Sequence, residues 1–210
     1  EEEGVLTERT TLPMRVNDLT LELGVRSFFQ TNTAMAAALY AQACGWVEDL
    51  APATVLDLYS GVGVFTAALA EAVGPTGRVL AVESDAEATV HAKANCAAYQ
   101  GVAVVRARVD DFLGVARPKR RGPGGQRLRK LPARHPLAPP RADRILLDPP
   151  RTGAGQLVVT ALTALEPKAI VYVACDPAAL ARDTAYLGER GYDLVTLRAF
   201  DAFPMTHHVE

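Results

Sequence analysis

The chain opens on alternation and then shifts to a helical spacing. Within residues 12–29, Leu19, Leu21 and Leu23 alternate with polar neighbours, the two-residue period of a half-buried extended segment. Residues 33–47 are rich in Ala at helical spacing, with Thr33 where an N-cap belongs. Beyond them, short apolar runs and helical patterns take turns. The runs predict strands over residues 54–58, 78–82, 102–107, 145–147 and 169–173, and a further strand over 192–197. Helices are predicted over 64–73, 86–98, 156–165 and 178–190, with Gly74-Pro75, Gly101 and Gly191 closing three of them. Apolar strands separated by helices imply an α/β fold with a mostly parallel sheet, covered by helices on both faces. Such sheets bind ligands at the carboxyl ends of their strands.

Composition narrows the class. With 210 residues, 49% hydrophobic and 22% charged, the chain has the balance of a globular enzyme. No apolar run approaches the ~20 residues of a membrane span, and no basic-then-apolar leader opens the chain. Three cysteines are too few and too odd for a disulfide scaffold, which points to a reducing, cytoplasmic setting. The net charge of −2 conceals an asymmetry. Residues 114–141 carry Arg117, Lys119, Arg120, Arg121, Arg127, Arg129, Lys130, Arg134 and Arg141, with no acid among them. This Pro- and Gly-rich insertion reads either as a solvated flexible segment or as a basic arm for phosphates.

Candidate chemistry clusters at the predicted strand ends. Asp57-Leu-Tyr-Ser-Gly61-Val-Gly63 closes one strand and opens a helix, a Rossmann-type turn that lets a ligand approach the backbone. Glu83 follows Gly61 by 22 positions, where an acid binds ribose hydroxyls. Thr66 stands where a dinucleotide site has its third glycine, so the loop suits a cofactor without a pyrophosphate, such as S-adenosylmethionine. Asp110, expected at the end of the third strand of the sheet, is either a loop acid or an acceptor for an adenine amino group. Asp148-Pro-Pro-Arg151 follows the fourth, its prolines fixing the chain that carries the acid. Cys175-Asp-Pro177 follows the fifth, and a thiol beside a helix start gains from the positive end of the helix dipole. Cys44 and Cys96, inside apolar helical patterns, read as small buried hydrophobes.

Five motifs occur in order: Phe28-Phe29-Gln30-Thr31-Asn32, Asp57-Leu-Tyr-Ser-Gly-Val-Gly63, Asp148-Pro-Pro-Arg151, Tyr172-Val-Ala-Cys175-Asp-Pro177 and Phe203-Pro-Met-Thr-His-His-Val-Glu210. Together they resemble the RNA 5-methyluridine methyltransferase family, which acts on transfer or ribosomal RNA. The resemblance implies a Rossmann-like S-adenosylmethionine-dependent enzyme. By similarity, the Cys175 thiolate adds to uracil carbon 6 and makes carbon 5 nucleophilic toward the cofactor's methyl group. Glu210 then removes the carbon 5 proton so that the cysteine can leave. The same similarity assigns Gln30, Tyr59, Glu83, Asp110 and Asp148 to the cofactor, and Phe28 or Phe29 to the flipped target base. His207 and His208 would shape the loop before Glu210, since no third ligand is spaced for a metal.

Departures from the family pattern include Ser60 and Asp176, where many relatives carry cysteine and asparagine, and Val64, where some place an asparagine beside the cofactor. The family's amino-terminal RNA-binding barrel and the cluster-binding cysteines of some members are not in this sequence. The chain begins without Met and ends before the closing strand the resemblance leads one to expect, so it reads as a fragment: a leading segment 1–32 and a methyltransferase domain 33–210. RNA affinity is then expected from the catalytic face, the basic insertion or segments beyond this chain. Two other readings remain open. A cytosine-C5 or exocyclic-amine methyltransferase is one, although a cytosine enzyme would normally carry a second cysteine where Asp148 stands. The other is an RNA-binding or RNA-folding module with a vestigial site.

Overall fold

A computed structural model of the chain describes residues 10–27, 32–47, 53–115 and 133–201. The alternating stretch forms a hairpin, β1 (Thr11–Val16) and β2 (Leu19–Gly24), with Val16 opposite Leu19 and Asn17 at positive φ in the two-residue turn. Helix α1 (Thr33–Gly45) follows. Its cap is Asn32, not Thr33: the Asn32 side chain accepts from the Met35 N–H at 3.2 Å, and the helix starts one residue after the cap.

Five parallel strands then form one sheet: β3 (Thr54–Leu58), β4 (Arg78–Glu83), β5 (Val102–Arg106), β6 (Arg144–Leu147) and β7 (Ala169–Tyr172). Their spatial order is β5-β4-β3-β6-β7. Between them run α2 (Val64–Val73), α3 (Ala86–Asn95), α4 (Val109–Phe112) and α5 (Gly155–Thr163), with α6 (Pro177–Gly188) after β7.

The pleat explains why the strands read as unbroken apolar runs. Val55, Val79, Leu146 and Val171 point to one face and join a core with the hairpin, α1 and α2. Their neighbours Leu56, Leu58, Leu80, Val82, Ile145 and Leu147 point to the other, packing with Val109 and Phe112 of α4 and Val158 and Leu162 of α5. With both faces covered, neither set of positions is left for polar residues.

Two further expectations are corrected. Residues 192–197 do not form a strand: among the described residues the segment joins no ladder, and Leu194, Val195 and Leu197 stand exposed. An apolar pattern favours an extended chain, but a strand also needs a neighbour to pair with. Asp110 lies not at a strand end but in the short turn α4. Val109 and Phe112, three apart, are both buried and draw the chain into a helical turn after β5.

Candidate active site

Chain order reverses at β3: the path leads outward through β4 and β5, then returns to β6 and β7 on its other side. The crevice at the carboxyl ends of β3 and β6 is therefore the switch point of the sheet, where open α/β folds bind ligands.

The loop leaving β3 is tightly tied down. Tyr59 has a left-handed backbone (φ 64°), a conformation that costs a non-glycine residue about 1–3 kcal/mol. Tyr59 and Ser60 both donate their N–H groups to the Val82 carbonyl, at 2.9 and 3.2 Å. Gly63 also has positive φ, and a Cβ there would meet the Ala92 Cα and Cys96 Sγ at 3.3 Å, so a side chain would crowd α3 as well as strain the backbone. Glu83 closes β4 and reaches the same loop. Its Oε2 accepts from the Gly61 N–H at 2.9 Å, and its Oε1 accepts from the N–H groups of Ser84 and Asp85 at 2.6 and 2.7 Å.

Beneath the loop lies Asp57, wholly buried, whose Oδ2 accepts the Thr66 hydroxyl at 2.5 Å. Burial is the main cause that pushes its carboxyl up to about 7; the Thr66 hydrogen bond opposes this and the nearby Glu83 charge adds to it. The Asp57 Oδ1 and the Ser60 Oγ are buried with no protein partner among the described residues.

A cavity of about 440 Å³ opens at the strand ends, lined by Tyr59, Ser84, Arg108, Asp110, Pro150 and the turn at residues 152–154, with Val82 and Val158 among its apolar walls. Burial, with the charge of Asp110, pushes the Tyr59 phenol up to about 12, so it enters the cavity as a neutral hydroxyl. Asp110 is largely enclosed, and the Arg108 Nε donates to it at 3.2 Å. Across the crevice, the Asp148 N–H extends the ladder to the Leu58 carbonyl at 3.2 Å, and the half-buried acid is followed by the buried Pro149. Leu147 is paired with Tyr172, so Asp148 and Cys175 emerge from adjacent strands. Cys175 is a half-buried thiol immediately before Asp176, the N-cap of α6, which accepts from the Ala179 N–H at 2.7 Å.

Tyr59, Glu83, Asp110, Asp148 and Cys175 thus gather at one edge of the sheet. Gln30, Phe28, Phe29, His207, His208 and Glu210 lie outside the described residues, as do the basic residues from Arg117 to Lys130. Of the two basic residues of the insertion that are described, Arg141 makes an exposed ion pair with Glu166 at 2.5 Å and Arg134 is exposed. Sequence reasoning gave no role to two buried acids, Asp57, which it met only as the first residue of the glycine-loop motif, and Asp183. An acid inside an apolar strand was the available signal for the first; the second sits seven residues after the cap of α6, two turns along the same face.

The description "tRNA (Uracil-5-)-methyltransferase" belongs to the family model that matches residues 6–210. The chain belongs to that family. Relatives of the chain include an uncharacterised RNA methyltransferase of Streptomyces avermitilis, 39% identical over 93% of the chain and 40% of the relative. A 23S rRNA (uracil(747)-C(5))-methyltransferase of Shewanella sp. (strain ANA-3) is 36% identical over all of the chain and 49% of its own length. Among solved structures, the Pyrococcus abyssi tRNA (uracil-54, C5)-methyltransferase in complex with S-adenosyl-L-homocysteine superimposes with a TM-score of 0.70 at 27% identity. That match covers 96% of this chain and 43% of the archaeal one. The chain therefore spans 40–49% of the length of these curated relatives. The α/β, Rossmann-like class expected from the sequence is the fold this family member has.

Proposed function

We propose that this chain holds the catalytic centre for S-adenosylmethionine-dependent methylation of carbon 5 of uridine in transfer or ribosomal RNA. The observation that carries the reading is the cavity at the switch point, with the half-buried Cys175 thiol leaving the strand next to the one that ends before Asp148. The donor set suits the cofactor. A turn without a side chain at Gly61, an acid held on that loop, an enclosed acid at Asp110 and a neutral phenol match a ribose, an adenine and a sulfonium without needing a pyrophosphate site. Glu83 would take the ribose hydroxyls, Asp110 the adenine amino group, and Tyr59, Asp148 and Gln30 the remainder. When bound, S-adenosylmethionine supplies an electrophilic methyl group.

Cys175 adds as thiolate to carbon 6 of the flipped uracil, and carbon 5 becomes nucleophilic. After methylation Glu210 takes the carbon 5 proton, and expulsion of the Cys175 sulfur restores the ring. A cytoplasmic setting, RNA as the partner, the aromatic hold of Phe28 or Phe29, and the division into a leading segment and a methyltransferase domain belong to the same proposal. Its test is chemical identification of the product. Full-length protein is incubated with unmodified RNA and S-adenosylmethionine, and the RNA is digested to nucleosides. We expect 5-methyluridine, absent with Cys175→Ala; 5-methylcytidine or an N-methylated base in its place would contradict the reading.

A further inference from the structure

Asp183 of α6 is wholly buried and ties together elements from two sides of the reaction centre. Its Oδ2 accepts the N–H groups of Ala154 at 2.7 Å and Gly155 at 3.0 Å, and the Tyr172 hydroxyl at 2.7 Å. Its Oδ1 accepts from the Nε and Nη2 of Arg182 at 3.0 and 2.8 Å, and the same Nη2 donates to the Thr152 carbonyl at 2.8 Å. Burial pushes this carboxyl up, but the hydrogen bonds from Gly155, Tyr172, Arg182 and Ala154 together hold it below the usual aspartate value, so it stays ionised.

Two features show what the knot controls. Helix α5 has no side-chain cap of its own at Ala154, and Asp183 supplies from another helix the acceptor that its first N–H groups lack. Gly153 is pressed against the ion pair: a Cβ there would lie 2.5 Å from the Arg182 Nη2 and 2.6 Å from the Asp183 Oδ2. Residues 152–154 form one wall of the cavity, while Tyr172 ends the strand that leads to Cys175.

We propose that Asp183 is a positioning residue for methyl transfer, locking the cavity wall at residues 152–154 to the strand and helix that flank Cys175. This rests on the cofactor occupying that cavity. The test uses full-length protein carrying Asp183→Asn, close to the native shape but without the charge. We expect the KM for S-adenosylmethionine to rise about tenfold or more, with the KM for RNA changed less than about twofold. An unchanged cofactor KM with only a lower melting temperature would overturn the proposal and leave Asp183 a fold-stabilising group. Should Asp183→Asn fail to fold, Tyr172→Phe decides, since it removes one hydroxyl from the knot: a raised cofactor KM supports the proposal and an unchanged one overturns it. Glu83→Gln, measured in parallel, separates the two readings. Loss of cofactor affinity there but not at Asp183 defeats this inference alone, and loss at neither defeats the cofactor assignment itself.

Discussion

Both carboxylate oxygens of Glu83 already accept backbone N–H groups, so the side chain is oriented before any ligand reaches it. Its remaining lone pairs and its charge are what a ribose diol would use. Hydrogen bonds to a charged group contribute about 1.5–3 kcal/mol, so Glu83→Gln is expected to weaken S-adenosylmethionine binding by about ten- to a hundredfold, measured by titration calorimetry. Asp57 acts through pH instead. An unperturbed aspartate titrates at 3.8, whereas this one is raised to about 7. Between those values the folded protein binds more protons than the unfolded chain, so this residue's contribution to stability falls as pH rises from about 4 to 7 and is flat above and below. Asp57→Asn keeps an acceptor for Thr66 and is predicted to remove that slope, on the order of a few kcal/mol across the window. Urea unfolding of both proteins at pH 5 and pH 8 checks this: the gap between the two pH values should shrink in the variant.

Elements in this chain stand where burial on both sheet faces requires them. Leu162 of α5 is fully buried among strand residues of the second core, and its truncation to Ala is expected to cost about 2–5 kcal/mol in urea unfolding. The sheet strands and the longer helices were legible in the sequence because their periods are long or their apolar runs unbroken. Legibility failed where a partner rather than a pattern decides. Leu194, Val195 and Leu197 carry the apolar content of a strand, yet among the described residues no strand pairs with them. The turn α4 rests on only two buried residues, Val109 and Phe112, too few for a period to register. The site followed the same division. Glu83, Asp148 and Cys175 were visible as candidates because turn chemistry and strand ends mark them locally, and Tyr59 only through the family resemblance. Asp183 was not, since its meaning lies in N–H groups 28 and 29 residues away.

Across the whole molecule, the Asn95 side chain joins the hairpin to the glycine turn. The Asn95 amide accepts from the Glu22 N–H at 2.8 Å and donates to the Glu22 and Val62 carbonyls at 3.1 and 2.9 Å, linking β2, α3 and the glycine turn. Leu21 and Leu23 bury the other face of the hairpin in the core shared with α1 and α2. Removing this link by Asn95→Ala is expected to cost about 1–3 kcal/mol and to speed amide exchange in β1 and β2 more than in β3, seen by hydrogen-exchange mass spectrometry. A second anchor holds the far end of the described chain: Phe200 is buried in that same core, and Arg198 lies over its ring while donating to Gln42 of α1.

Attack of Cys175 on carbon 6, which the proposed methylation of carbon 5 requires, can be caught by trapping. Full-length protein is incubated with S-adenosylmethionine and RNA containing 5-fluorouridine, whose fluorine cannot leave as the carbon 5 proton does, and is then resolved by denaturing electrophoresis. A methylated covalent protein–RNA adduct is expected, mapping to the peptide containing Cys175 and vanishing with Cys175→Ala. Methyl transfer to ordinary RNA without any adduct on the fluorinated RNA, or an adduct that persists without Cys175, would contradict it.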